Sequence, residues 1–79
     1  MSITSSQLAA LKWLRNRNSD GVFDRNQVLV AGGERAPIMR STWNKLADAE
    51  LVEFYHDRRR LRVTDAGRLA DVSRVEESA

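Results

Sequence analysis

The fold is decided by residues 52–63, which read VEFYHDRRRLRV. Apolar and polar residues alternate on both sides of a short polar segment, and alternation with a period of two predicts a pair of β-strands. The segment between them, residues 56–59, has the length and polarity of a hairpin loop. We therefore expect an antiparallel hairpin whose apolar side chains face a core, with Glu53 and Arg62 as cross-strand neighbours. The side chains expected to face water are those of Glu53, Tyr55, Arg60 and Arg62.

The N-terminal segment predicts a helix with a well-defined start. Thr4 and Gln7 have the spacing of a capping box, in which each side chain accepts a hydrogen bond from the other residue's backbone. Leucines and Trp13 then recur at helical spacing to about residue 17. The polar cluster at residues 18–21 is expected to end this helix.

A second capping-box pattern starts at Asp24, with Gln27 three residues later. It predicts a short second helix over residues 25–31, which the following pair of glycines would end. One or two residues of strand are expected just before it, within residues 21–23.

A third helix is expected over residues 37–49, because proline is well tolerated at the first helical position and Pro37 stands there. Its inward face would carry Met39, Trp43 and Leu46. Trp13 and Trp43 are expected to meet Phe23 and Phe54 in the core. The outward face of the third helix would carry Arg40, Ser41, Asn44 and Lys45.

A short C-terminal helix is expected after the hairpin, with Thr64 as its cap. Its apolar side would be formed by Ala66, Leu69 and Val72. We assign residues 1–74 to one domain and residues 75–79 to a flexible tail. The predicted fold class is α+β, with three helices, a two- to three-stranded antiparallel wing and a short C-terminal helix.

Composition narrows the classes of function. The chain has 79 residues, with 13 Lys and Arg against 11 Asp and Glu, one His and no Cys. This length supports one small domain, and the absence of Cys excludes disulfides and thiolate metal sites. Because no nucleophile–base pair or metal-loop spacing is recognisable, we predict no enzyme activity, no cofactor and no metal. The apolar runs are far shorter than a membrane span, so a cytoplasmic protein without a membrane partner is expected.

Two stretches carry a resemblance to a known family. Residues 41–52, STWNKLADAELV, and residues 59–68, RRLRVTDAGR, resemble the recognition helix, the wing and the following helix of the MarR and PadR groups of bacterial regulators. The resemblance implies a winged helix-turn-helix that binds double-stranded DNA, as a small bacterial or phage regulator of transcription.

The chain departs from this family pattern in three respects. Glu50 stands where those families usually have glycine, and the segment at residues 32–36 is longer than their tight turn. The long dimerisation helices of MarR-type proteins have no counterpart. The expected oligomeric state is therefore a monomer or a weak homodimer.

The DNA-binding hypothesis assigns nine residues to the interface. The third helix would present side chains to base edges and phosphates in the major groove, and the arginines of the wing would contact phosphates or enter the minor groove. Because four arginines fall within residues 58–62, the net charge of +2 is a local property of the wing. The nine residues are Arg35, Arg40, Ser41, Asn44, Lys45, Arg58, Arg59, Arg60 and Arg62.

A winged helix that binds a protein partner is the alternative hypothesis. The net charge is small, and Glu34 and Glu50 lie close to the predicted third helix. Tyr55, beside the arginines, would be a suitable interface anchor. Such a domain would act as a small adaptor or as a phage-type inhibitor of a host enzyme. The sequence leaves both hypotheses open.

Overall fold

The computed structural model describes residues 3–76. In chain order its elements are α1 (Ser5–Arg15), β1 (Asp20–Phe23), β2 (Leu29–Ala31), β3 (Glu34–Arg35), α2 (Arg40–Asp48), β4 (Val52–Tyr55), β5 (Arg60–Val63) and α3 (Asp65–Leu69). The strands form one sheet in the order β3-β2-β1-β5-β4, in which all neighbours are antiparallel. The α+β class is therefore confirmed, but the sheet in this part of the chain has five strands instead of the two or three predicted.

The core lies between the sheet and two helices. Helices α1 and α2 contact each other and cover one face of the sheet, where their leucines meet leucines of β2 and β5. Trp13 and Trp43 are buried as predicted. Phe23 and Phe54 lie at the margin of this core, half-buried and stacked with their ring centroids 5.8 Å apart.

The start of α1 confirms the predicted capping box. The Gln7 backbone N–H donates to the Thr4 hydroxyl at 3.1 Å, and the Thr4 N–H donates to the Gln7 side-chain carbonyl at 3.1 Å. The helix ends at Arg15, two residues earlier than expected. Its end is followed by Asn18 and Ser19, both with positive φ, which turn the chain toward β1.

The predicted helix over residues 25–31 is wrong. The Asp24 carboxylate accepts hydrogen bonds from the backbone N–H groups of Asn26 at 2.8 Å and Val28 at 3.0 Å, so it closes a tight turn instead of capping a helix. Gln27 has a φ of +64°, which is incompatible with a right-handed helix.

The glycine pair that was expected to end this helix forms a hairpin turn instead. Gly32 and Gly33 have φ values of +59° and +79° and connect β2 to β3. A two-residue hairpin loop of this kind requires positive φ at both positions, which glycine adopts without strain. Strand β2 pairs with β1 on its other side and buries Leu29 and Ala31. The β2–β3 hairpin thus takes the place of the predicted second helix.

Helix α2 begins at Arg40, three residues later than predicted. Ala36 is still tied to the sheet, because its N–H donates to the Leu29 carbonyl at 2.7 Å. The backbone of Met39 is extended, with φ −74° and ψ 148°, and its side chain makes no capping hydrogen bond. Met39 was expected on the inward face and is instead 73% exposed.

The predicted β-hairpin is confirmed. Strands β4 and β5 pair so that Glu53 lies opposite Arg62, and the two side chains form an ion pair. Strand β1 joins the other side of β5, with Gly21 opposite Leu61. The hairpin is therefore part of the sheet, and the last residue of its loop at residues 56–59 is still tied to β1, because the Arg59 carbonyl accepts the Phe23 N–H at 2.8 Å.

Glu50 ends α2 in a left-handed conformation, with a φ of +62°. Its N–H donates to the Ala47 carbonyl at 2.9 Å, and the Leu51 N–H donates to the Leu46 carbonyl at 3.0 Å. These two bonds form a Schellman motif, in which the position of Glu50 is usually occupied by glycine. The departure from the family pattern at this position is therefore a strained residue and not a different helix end.

Replacing Glu50 with glycine should stabilise the domain by about 0.5–1 kcal/mol, because glycine adopts positive φ without a steric cost. For a domain of this size the melting temperature should rise by about 2–8 °C. Glu50→Ala is the matched control, since alanine removes the carboxylate but keeps the Cβ. A melting temperature that rises equally in both variants would contradict the backbone explanation.

Thr64 caps α3 as predicted. Its hydroxyl accepts a hydrogen bond from the Gly67 N–H at 3.0 Å and donates one to the Glu50 carbonyl at 2.6 Å. The apolar side predicted for this helix is wrong at Leu69, which is 86% exposed, and at Ala66, which is also exposed. Val72, the third predicted residue, lies after the end of α3 and packs against the core as predicted. The residue that packs inward is Gly67, which allows α3 to lie close to the backbone of Leu51.

The segment after α3 returns to α1. The Arg15 guanidinium donates to the Ala70 carbonyl at 2.8 Å, and the Lys12 ammonium donates to the Val75 carbonyl at 2.8 Å. The first residue of the predicted flexible tail is thus held against α1. Residues 77–79 of that tail lie outside the described residues.

Candidate functional site

The outward side of α2 carries three of the side chains predicted to face DNA. Ser41, Asn44 and Lys45 are exposed, and their spacing of three and four residues places them on one stripe of the helix. Trp43 and Leu46 fix the opposite side of the helix in the core. The hydroxyl, amide and ammonium groups of this stripe can donate hydrogen bonds to phosphates or to base edges.

Arg40 is half-buried and joins α2 to two other segments. Its guanidinium carbon lies 4.2 Å from the ring centroid of Phe23 and 5.1 Å from that of Phe54. Its Nη1 donates to the Gln27 side-chain carbonyl at 2.6 Å, and its Nη2 donates to the Arg58 backbone carbonyl at 3.0 Å. Arg40 was predicted to contact DNA directly, and these contacts show that its side chain also connects α2 to the turn and to the loop.

The β4–β5 loop carries two predicted arginines at its tip. His56, Asp57 and Arg58 all have positive φ, and the Arg59 N–H donates to the His56 carbonyl at 3.1 Å. The Arg58 guanidinium lies 4.5 Å from the ring centroid of Phe54. Arg58 and Arg59 are exposed, and no carboxylate of residues 3–76 forms an ion pair with either.

The other three predicted arginines lie on the outer face of the sheet. Arg62 forms an ion pair with Glu53, and the hydrogen bond between the two side chains raises the pKa of the guanidinium above its usual value. Arg35 Nη2 lies 3.1 Å from the Asp24 carboxylate. Arg60 is on the same face, because it is the neighbour of Tyr55 in the sheet. The structure therefore divides the nine predicted residues between two surfaces, with six at α2 and the loop and three on the sheet.

Tyr55 was expected to be exposed and is instead half-buried. Its hydroxyl donates to the Asp20 carboxylate at 2.5 and 2.6 Å, and Arg60 and Arg62 lie 5.7 and 4.8 Å from its ring centroid. Burial raises the pKa of the phenol, and the hydrogen bond to Asp20 raises it further. Tyr55 thus gives no specific support to the protein-binding alternative.

A cleft separates the tip of the loop from the turn at residues 24–27. Its volume is about 550 Å³, and Arg25 contributes to its wall. Arg25 was not predicted as a site residue, because it was expected to start a second helix. The glycine pair at residues 32 and 33 was the missed signal, since a hairpin turn there makes residues 29–31 a strand and residues 24–28 a turn. The cleft is lined by Phe23, Asp24, Arg25, Gln27, Arg40, Asp57, Arg58 and Arg59.

Comparisons with known proteins gave no relative. No family model matches the chain, and no curated protein or solved structure matches it either.

Within residues 3–76, no three His, Asp or Glu side chains are grouped to hold a metal ion. No helix among these residues has the length and apolar character needed to cross a membrane. His56 and Asp57 lie exposed at the tip of the loop, with the His56 ring 5.1 Å from that of Tyr55. The cationic groups around α2 and the loop are the most distinctive chemistry of this part of the chain.

Proposed function

We propose that this protein binds double-stranded DNA through a winged-helix arrangement, with α2 in the major groove and the β4–β5 loop on the phosphate backbone. One observation carries the proposal: the side chain of Arg40, the first residue of α2, donates a hydrogen bond to the backbone of the loop that bears Arg58 and Arg59. The N-terminal end of α2 and the cationic loop are therefore held together. A DNA duplex offers the matching combination, a groove with base edges beside a line of phosphates.

The dimensions of α2 suit this role. Nine residues make a helix about 13 Å long, and the major groove is about 12 Å wide, so the stripe of Ser41, Asn44 and Lys45 would lie within reach of a few base pairs. The β2–β3 hairpin stands where a helix-turn-helix has its first helix. The winged-helix proposal thus rests on α2 and the wing.

The proposed interface keeps six of the nine residues predicted from the sequence. Arg35, Arg60 and Arg62 lie on the outer face of the sheet, and two of them are paired with carboxylates. The proposed interface consists of Arg40, Ser41, Asn44, Lys45, Arg58 and Arg59. A protein of this kind would act in the cytoplasm of a bacterium as a small regulator, as a monomer or a weak dimer.

The test is the salt dependence of binding to a fluorescently labelled duplex, measured by anisotropy between about 50 and 200 mM salt. We expect the logarithm of the affinity to fall linearly with the logarithm of the salt concentration. Substituting Arg58 and Arg59 together with alanine should reduce this slope by about two, because each neutralised phosphate contributes about 0.9.

Arg74→Ala provides a control in which one arginine is removed outside the proposed interface. Arg74 is exposed, and it lies in the C-terminal segment that returns to α1. Its removal lowers the net charge of the protein but should leave the salt slope unchanged. An affinity that does not depend on salt, or no affinity at the lowest salt concentration, would contradict the proposed function.

A further inference from the structure

The cleft between the β4–β5 loop and the turn at residues 24–27 collects four guanidinium groups from three separate segments of the chain. Arg25 comes from the turn, Arg40 from the start of α2, and Arg58 and Arg59 from the loop. Such a concentration of positive charge is unfavourable unless anions lie nearby. The neighbouring groups therefore show whether this charge is already balanced.

Two carboxylates line the cleft, and one of them is already engaged. Asp24 accepts backbone hydrogen bonds within its turn and pairs with Arg35 outside the cleft. The hydrogen bond from Val28 is the main cause that lowers the pKa of Asp24 below its usual value. Asp57 is the other carboxylate, and it makes no ion pair within residues 3–76.

The arginines of the cleft are held by groups that do not neutralise them. Arg40 and Arg58 stack on the rings of Phe23 and Phe54, and Arg40 donates to two neutral carbonyl oxygens. A ring face attracts a guanidinium but leaves the N–H groups in its plane available to an anion. In the described part of the chain, Arg25 and Arg59 have no carboxylate partner either.

We infer that this cleft binds a phosphate group, with Arg25 and Arg59 as ligands from opposite walls and Arg40 as the positioning residue. Guanidinium groups bind phosphate oxygens through paired, charge-assisted hydrogen bonds. The inference rests on the proposed function and adds the turn at residues 24–27 as a third segment that contacts the DNA backbone. Arg25 is thereby assigned a role that neither the sequence pattern nor the α2 stripe indicates.

The first experiment uses inorganic phosphate as the probe and the full chain labelled with ¹⁵N. We expect phosphate to shift the side-chain Nε–Hε resonances of Arg25, Arg58 and Arg59, and chloride at matched ionic strength to shift them much less. Arg74 serves as the internal reference, because it is exposed and remote from the cleft in the chain. Shifts that are the same in both salts would overturn the inference.

The second experiment compares Arg25→Gln with the matched control Arg74→Gln. Both side chains are exposed and both changes remove one positive charge, so the melting temperatures should be alike. We expect Arg25→Gln to weaken duplex binding about fivefold and to reduce the salt slope by about one, and Arg74→Gln to change neither. Comparing duplexes with and without a 5′-phosphate on one strand shows whether the cleft binds a terminal or an internal phosphate. The added 5′-phosphate should raise the affinity only if the cleft binds a terminal phosphate.

The outcomes distinguish this inference from the proposed function. If Arg25→Gln binds duplex as tightly as the parent, the phosphate site is wrong while DNA binding stands. If phosphate shifts the arginine resonances but no duplex binds, the site stands and the proposed function is wrong.

Discussion

Replacing Gly67 with alanine should destabilise the domain by about 3 kcal/mol. A Cβ on this residue would lie 2.0 Å from the Leu51 carbonyl oxygen and 2.7 Å from Cγ1 of Val63. The Leu51 carbonyl cannot move away at little cost, because it also accepts the Thr64 N–H at 3.1 Å. The helix α3 would therefore have to leave its position, and the Thr64 cap on the Gly67 N–H would be lost with it. Urea denaturation measures this loss as a lower midpoint.

Gly33→Ala is the control that separates steric overlap from backbone strain. Gly33 has a φ of +79°, and a Cβ on it would have no neighbour within 4 Å. Alanine at that position should lower the free energy of unfolding by only about 1–2 kcal/mol, because the only unfavourable effect is the left-handed conformation of a residue with a Cβ. Equal losses in the two variants would show that α3 does not pack against Leu51 as described.

The elements that the sequence predicted well are those whose determinants are local. The capping box of α1 involves two residues three positions apart, and the alternation that predicts β4 and β5 lies within twelve residues. The cap of α3 by Thr64 is equally local. In each case the side chains that decide the structure are also neighbours in the chain, so a pattern in the sequence is sufficient.

Residues 24–36 show why the rest could not be predicted. Asp24 followed by Gln27 is compatible with a capping box and with a tight turn, and two glycines are compatible with a helix end and with a hairpin. The choice is made by the pairing of β2 with β1 and β3, which buries Leu29 and Ala31. This burial of apolar side chains depends on the pairing of separate segments of the chain, and a local sequence pattern does not reveal that pairing.

The candidate site likewise contains residues whose positions a local pattern predicts and residues whose positions depend on contacts between separate segments. Helical spacing alone placed Ser41, Asn44 and Lys45 on one exposed stripe. The positions of Arg40 and Arg25 depend on the meeting of α2, the loop at residues 56–59 and the turn at residues 24–27. Because the turn was predicted as a helix, that meeting could not be predicted.

Replacing Leu46 with alanine should destabilise the domain by about 2–5 kcal/mol. Leu46 has no exposed surface and belongs to the same buried cluster as Leu11, Trp43 and Val52. Its loss removes apolar contacts and leaves a cavity that the surrounding backbone can close only in part. Since small domains are stable by only about 5–15 kcal/mol, this single change removes a large share of the total.

Leu69→Ala is the matched control, since it makes the same chemical change at a side chain that is 86% exposed. We expect thermal denaturation to show a melting temperature at least about 8 °C lower for Leu46→Ala and nearly unchanged for Leu69→Ala. Ser41, Asn44 and Lys45 lie on the opposite side of α2, so the folded fraction of Leu46→Ala should still bind duplex with the salt slope of the parent. A variant that melts like the parent would show that Leu46 does not hold α2 in the core, and the fixed orientation of the exposed stripe would lose its physical basis.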